Sequence, residues 1–256
     1  MGKKHDVTRG PFDGHFAKSR EGVGFAGDGC GQVGRCGHAE AVDANHSMPG
    51  IRCVLISDTH GLARRARLPR GKILIHAGDL SMAGAVTQIQ DELDWFSSTP
   101  YEHKIVIAGN HGFAFQDERR NELDTSGVIY LQDSGANVLG LSFWGSPWQP
   151  WFYDWAFNFP RDGPELAARW ALIPTHTDVL VTHGPPQGTL DATVRGDLAG
   201  CNDLQQALRR IRPRLHAFGH IHEAYGRQVL DGTTYVNAAI CDQSYTPANS
   251  AVVVDP

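Results

Sequence analysis

Seven side chains able to hold a metal ion recur along this chain in a fixed order, and nearly every one stands directly behind a short apolar run. Asp58 and His60 follow Cys53-Val54-Leu55-Ile56, Asp79 follows Ile73-Leu74-Ile75, Asn110 follows Ile105-Val106-Ile107, and His183 follows Val179-Leu180-Val181. His220 and His222 close the series in Gly219-His220-Ile221-His222. A run of four or so aliphatic residues bounded by turn signals reads as a strand buried on both faces. Carboxylates and imidazoles are costly to bury without partners, so they collect where such strands end. The pattern constrains the chain to a sheet whose strand ends bring these groups to one edge.

The chain has 256 residues, 41% of them hydrophobic and 20% charged, enough for one sizeable core. Residues 1–47 differ from the rest: they hold ten of the 29 glycines and no apolar run longer than two residues. Such a stretch buries too little surface to offset its ordering entropy, so it is expected to be a disordered or dispensable extension, with the folded domain spanning 48–256. Two Gly-x-Gly-x-x-Gly matches within it, starting at Gly22 and Gly29, neither follow a strand nor open a helix, and composition explains both. Six basic and six acidic residues balance there, so the formal net charge of −5 resides in the domain. An acidic domain argues against broad nucleic-acid binding. Five scattered cysteines suggest no disulfide framework. No segment suits a signal peptide or a membrane span, which leads us to expect a soluble cytoplasmic protein.

From Ile51 onward strands alternate with helical stretches. The expected strands are Ile51–Ser57, Lys72–His76, Lys104–Ala108, Val128–Leu131, Asn137–Trp144, Asp178–Thr182, Leu215–Phe218, Gln228–Leu230, Thr234–Asn237 and Ala251–Val254. Val86, Ile89, Leu93 and Phe96 fall at helical spacing, as do Leu204, Ala207, Leu208 and Ile211, with Asn202 or Asp203 as N-cap and Pro213 as terminator. Pro164 opens a third helix over Glu165–Leu172. Leu230-Asp231-Gly232-Thr233 marks a tight hairpin. Early βα alternation with a late hairpin predicts two packed mixed sheets with helices outside.

Carboxylate, imidazole and amide oxygen together suit divalent ions such as Mn, Fe or Zn rather than soft thiolate chemistry. Six or seven ligands are too many for one ion that must also bind water and substrate. Shared between two ions, with one carboxylate bridging, they leave open positions on both. Two such ions can clamp a phosphoryl group and lower the pKa of a water between them, so that hydroxide attacks phosphorus.

The series Asp58-Thr59-His60, Gly78-Asp79, Gly109-Asn110-His111, Thr182-His183-Gly184 and Gly219-His220-Ile221-His222 resembles the calcineurin-like metallophosphoesterase superfamily from about Ile51 to the C-terminus. Ile105 to His111, Gly145 to Phe152, Asn158 to Arg161 and Ile221 to Gly226 further resemble the metallophosphoesterase-domain-containing (MPPED) proteins. The resemblance implies a four-layer αββα sandwich of two mixed sheets with a di-metal site at the sheet edges. It implies that Asp58, His60 and His222 hold one ion, that Asp79 bridges, that Asn110, His183 and His220 hold the other, and that His111 stabilises the transition state or protonates the leaving oxygen. It further implies phosphodiester hydrolysis, with cyclic nucleotides among the expected substrates. A phosphomonoesterase or protein phosphatase using the same site, and a weakly active nucleotide or phosphate sensor, are the alternatives.

Two positions depart from the family pattern. Gly112 stands where an acid usually follows the Asn-His pair, and Met82 stands where an acid usually orients the histidine, which leaves His111 without an evident carboxylate partner. His220, by contrast, completes the second ligand shell where some MPPED proteins are expected to carry Gly. Arg64 in the basic stretch after the first ligand pair, Trp148 and Trp151 in the aromatic stretch, and Tyr225 are candidate substrate contacts. A chain beginning at Met48 is expected to fold and keep its full activity; failure to fold, or inactivity in a purified truncated protein, would overturn this division of the sequence.

Overall fold

A computed structural model describes residues 50–256. The expectations for residues 1–47 and for a start at Met48 lie outside the described residues. In chain order the elements are β1 (Cys53–Ile56), β2 (Ile73–His76), α1 (Val86–Ser98), β3 (His103–Val106), α2 (Phe113–Gln116), β4 (Ile129–Tyr130), β5 (Ser134–Val138), β6 (Leu141–Ser146), β7 (Gln149–Pro150), β8 (Asn158–Phe159), α3 (Pro164–Ala171), β9 (Val179–Thr182), α4 (Asn202–Ile211), β10 (Leu215–Phe218), β11 (Gly226–Leu230), β12 (Thr233–Asn237) and β13 (Val252–Val254).

Among the described residues these strands form two large sheets and one short pair. The first sheet runs β13-β1-β2-β3-β4, parallel except for β13 at its edge. The second runs β11-β12-β10-β9-β6-β5, parallel at its centre with an antiparallel strand on each side. β7 and β8 make the separate two-stranded ladder, which no sequence pattern announced.

The period-two alternation of each strand divides the core. Cys53, Leu55, Ile73, Ile75 and Ile105 of the first sheet share one cluster with Phe143, Val179, Val181, Leu215, Ala217 and Val236 of the second, so the two sheets pack face to face. The intervening residues Val54, Ile56, Leu74, Val106 and Leu180 join Ile89, Leu93 and Phe96 of α1, Leu166 and Trp170 of α3, and Leu204, Leu208 and Ile211 of α4. The result is the expected four-layer sandwich of helix, sheet, sheet and helix. Cys53 is one of these packing residues, and burial pushes its thiol up to about 12.

Two local expectations are corrected. The single strand expected over Asn137–Trp144 is a hairpin of β5 and β6, because Leu139 (φ 53°) and Gly140 (φ 84°) turn the chain back. Two successive residues with positive φ fit a type I′ turn, and Val-Leu-Gly-Leu lacks the Asn-Gly or Asp-Gly that usually signals one. The hairpin at Asp231 (φ 49°) and Gly232 (φ 82°) has the same geometry and does carry the signal. In α4 the N-cap is neither Asn202 nor Asp203 but Cys201, whose sulfur accepts from the Leu204 N–H at 3.4 Å. The helix ends at left-handed Arg212, directly before Pro213. Gly140→Ala forces a β-carbon into the left-handed region and is expected to destabilise the fold by about 1–2 kcal/mol, read as a lower urea midpoint with unchanged m-value.

Candidate metal centre

The candidate ligands sit where the parallel strands end, on loops that the backbone ties together. Asp58 N–H bonds Gly78 C=O (2.9 Å), His60 N–H bonds Asp79 C=O (3.1 Å) and Gly61 N–H bonds Leu80 C=O (2.7 Å). Gly219 N–H bonds His183 C=O (2.9 Å) in the second sheet, and Ser57 bonds Ala238 C=O (2.9 Å) and Ile240 N–H (2.8 Å) across the two. The edges that carry the ligands are thus joined to each other.

This assembly is strained at the ligands. Asp58, His60, Asp79 and His220 all adopt left-handed φ, between 46° and 68°. Each such residue costs on the order of 1–3 kcal/mol and persists where surrounding structure over-determines it. Two glycines show the tightness. A β-carbon on Gly219 would fall on the Asp58 carboxylate and the Ser57 hydroxyl, and one on Gly109 would fall on the Asp79 carboxylate.

The side chains then face one another with more lone pairs than protons. Asp58 Oδ2 accepts from the His220 N–H at 2.9 Å, while Oδ1, buried and without a hydrogen-bond partner, lies 3.4 Å from His222 Nε2. His222 Nδ1 donates to the Asp242 carbonyl (2.9 Å), which turns Nε2 inward to within 3.3 Å of His60 Nε2. His183 is wired in the same way. Its Nδ1 donates to the Ala77 carbonyl (3.0 Å), and its Nε2 lies 2.8 Å from Asn110 Oδ1 and 3.4 Å from Asp79 Oδ2. His220 Nδ1 meets the same Asn110 oxygen at 2.9 Å. A carbonyl behind an imidazole fixes its tautomer and frees the other nitrogen as a ligand. Candidate ligand atoms gather within 4.8 Å in three groups: Asp58, His60 and His222; Asp58, Asp79 and His183; His60, Asp79 and His111. The donor set is the one that hard or borderline divalent ions select.

Electrostatics point the same way. Burial alone would raise the two carboxyls, yet His222 beside Asp58, and His183 beside Asp79, hold both well below the usual range. Burial would lower His183 and His222, but those carboxylates raise each to about 9. Burial prevails at His60, pushed down to about 4, and at His220, pushed down to about 3. The groups are poised to surrender protons to a cation.

His111 does have an orienting partner, though not an acid. Its Nδ1 donates to the main-chain carbonyl of Met82, the residue that stands where a carboxylate was expected. Its Nε2 is 3.9 Å from Asp79 Oδ2, and its backbone N–H bonds Asp79 Oδ1 at 2.8 Å. Trp155 packs on its ring, centroids 4.1 Å apart.

The pocket above the cluster, about 180 Å³, is lined by Asp79, Asn110, His111, His220 and His222 together with Phe152, Glu223, Gln243 and Tyr245. None of the four substrate candidates lines it, although Arg64 shares a neighbouring cavity of about 270 Å³ with His60, Ser81 and Met82. Arg64 is bound to Glu92 Oε1 and the Asp91 carbonyl, both at 2.9 Å, because α1 presents it a buried carboxylate. Trp148 is a core residue that donates to Asp133 (2.8 Å) and stacks on Phe159. Trp151 points to solvent, 58% exposed, and the Tyr225 hydroxyl donates to the Ser250 carbonyl. Besides Trp155 on His111, the aromatic rings at the site are the two that line the pocket, Tyr245, centroid 4.8 Å from His60, and Phe152, 5.3 Å from His220. Phe152 lay within the aromatic stretch already noted. Tyr245 stands in an irregular loop with no periodicity to betray it.

A family model described as "Calcineurin-like phosphoesterase" matches residues 51–224. The human protein called metallophosphoesterase domain-containing protein 1 is 41% identical over 249 residues, covering 85% of this chain and 76% of that protein, and its mouse counterpart matches equally. Among solved structures, the phosphopantetheinyl hydrolase PptH of Mycobacterium tuberculosis superposes with a TM-score of 0.55 at 16% identity, over 78% of this chain and 95% of the other. TT1561 of Thermus thermophilus gives 0.51 at 12% identity, over 73% and 88%. At these identities the two structures speak for the fold alone.

Divalent-ion binding at pH 7.5 is expected to release about two protons, because His183 and His222 are protonated below about 9 and a ligand nitrogen must be free. Calorimetric titration in buffers of different ionisation enthalpy measures this number, and affinity should climb as pH rises toward 9.

Proposed function

The chain belongs to the calcineurin-like phosphoesterase family, and from that premise we propose that it is a dinuclear-metal-dependent phosphodiesterase acting on small nucleotides, cyclic nucleotides among them. Asp58, His60 and His222 would hold one ion, Asn110, His183 and His220 would hold the other, and Asp79 would serve both. The observation that carries this reading is the crowding of acceptors. Asn110 Oδ1 lies between two imidazole nitrogens, two Nε2 atoms face each other at 3.3 Å, and one Asp58 oxygen has no hydrogen-bond partner. Cations are what such a set is built to receive. When bound, two divalent ions (Mn, Fe or Zn) polarise the phosphoryl oxygens and lower the pKa of an attacking water.

The protein's own groups do the rest. The Met82 carbonyl keeps a proton on His111 Nδ1 and aims Nε2 at the pocket, where a proton on that nitrogen meets the leaving oxygen. Trp155 limits rotation of the ring. Glu223, whose carboxylate accepts from the Val194 N–H at 2.9 Å, is among the lining residues and adds negative charge at the rim, which suits a singly charged diester better than a dianionic monoester. Phe152 and Tyr245 line the pocket and offer apolar surface to the substituent that a diester carries and a monoester lacks. Among the described residues no helix is long and apolar enough to cross a membrane, and Cys53, Cys201 and Cys241 are free and buried.

With Mn²⁺ supplied, bis(p-nitrophenyl) phosphate is expected to turn over faster than p-nitrophenyl phosphate; the reverse order would favour a phosphomonoesterase or protein phosphatase at the same site. Asp79→Ala should lower kcat/KM by more than about 100-fold and reduce bound metal. His220→Gly should weaken one of the two ions and depress turnover. His111→Ala should cost about 10²–10⁴-fold in kcat with metal content unchanged. A wild-type protein that binds nucleotide tightly but turns over no faster than Asp79→Ala would be a sensor instead.

A further inference from the structure

Two buried histidines that play no part in the chemistry above occupy matching places in the two halves of the sandwich. His76 ends β2, and His216 lies in β10. Both are essentially inaccessible, at 1% and 0% exposure. Each Nε2 meets a threonine hydroxyl that adjoins candidate ligands in sequence. His76 is 2.9 Å from Thr59 Oγ1, between Asp58 and His60, and His216 is 2.8 Å from Thr182 Oγ1, directly before His183.

The direction of these bonds follows from what lies beyond them. Thr59 Oγ1 donates its proton to the Leu80 carbonyl (3.4 Å), beside Asp79, and Thr182 Oγ1 donates to the Gly184 carbonyl (2.7 Å), beside His183. Each hydroxyl, having given its proton, accepts one from Nε2–H. Nδ1 is then an unprotonated acceptor, and in both histidines it is buried without a hydrogen-bond partner among the described residues. A buried acceptor left unsatisfied is destabilising, and an apolar side chain of similar size would avoid that cost. The surroundings would welcome one: Phe96 packs edge-on to His76, and Phe218 and Tyr235 pack on His216. Packing therefore does not account for an imidazole at either place, whereas donation to the threonine does.

We infer that His76 and His216 are paired positioning residues that hold the two ligand-bearing loops in register for metal binding, each through a His–Thr–carbonyl relay running from the outer face of its sheet to the ligand edge. The relay on the first sheet links the Asp58–His60 loop to the loop of Asp79. The relay on the second links the His183 loop to β10, whose chain continues to His220 and His222. Burial lowers His76 to about 4 and His216 to about 3, so both stay neutral at working pH and place no positive charge near the cations. This inference rests on the metal assignment proposed above.

The test uses the full chain and Mn²⁺ as the probe, with free Mn²⁺ read by electron paramagnetic resonance and melting followed separately in the metal-free protein. His76→Leu and His216→Leu are expected to weaken Mn²⁺ binding by about 10- to 100-fold. Their metal-free melting temperatures should shift by no more than about 4 °C, because the unsatisfied nitrogen leaves together with the hydrogen bond. His76→Gln and His216→Gln, whose amide N–H can stand in for Nε2–H, should restore wild-type affinity. Thr59→Val should weaken binding as His76→Leu does, and the double variant should bind no worse than either single one. Leucine variants that bind Mn²⁺ like the wild type would overturn the inference, as would glutamine variants that melt normally yet stay weak. A wild-type chain that binds no Mn²⁺ would instead overturn the metal assignment and remove the basis for the relays.

Discussion

Everything in this structure turns on placing carboxylate, amide and imidazole acceptors closer together than they would sit unaided. Asp58, Asp79, Asn110, His60, His183, His220 and His222 converge at an edge where two sheets meet, buried or nearly so. Without cations, protons must fill the gaps, which is why His183 and His222 are raised to about 9 while the carboxyls beside them are held down. Such a cluster opposes folding. The rest of the molecule supplies what offsets it: a core between the sheets, a second one under the helices, and loops stitched by backbone hydrogen bonds. Left-handed backbone at four of the seven positions is the visible cost of that placement.

The second layer of contacts is made largely of neutral groups. His183, His222 and His111 each donate Nδ1–H to a main-chain carbonyl, of Ala77, Asp242 and Met82 respectively. A carbonyl fixes a tautomer as well as a carboxylate does, but adds no negative charge to a site that already holds two. This resolves the difficulty raised by Met82 in the sequence. The side chain cannot orient His111, but the backbone of the same residue can, and an acid is not needed at that place for the ring to be aimed.

The fold was largely legible because its strands are short apolar runs, and alternation along them serves two cores at once. Where reading failed, the reason was local. The turn at Leu139 and Gly140 uses positive φ at a leucine, which no propensity anticipates, and Cys201 caps α4 with a sulfur that rarely serves so. At the site, the metal-binding residue types at strand ends named the cluster, since few other arrangements tolerate them there. The surroundings of the cluster were not legible in the same way. Arg64, Trp148, Trp151 and Tyr225 have the right chemistry, but chemistry does not say which way a side chain faces.

The sequence alone determined which residues must meet: a polar group that follows a doubly buried strand has only the sheet edge to occupy, and the order of strands carries it there. Only the tertiary structure decided what surrounds them. Tyr245 and Phe152 close on the site, Arg64 turns away to Glu92, and His76 and His216 reach it from behind, through contacts made between distant parts of the chain. Strand periodicity is a property of neighbours along the backbone and can be read from them. Enclosure depends on how separate loops pack, and no stretch of sequence records that on its own.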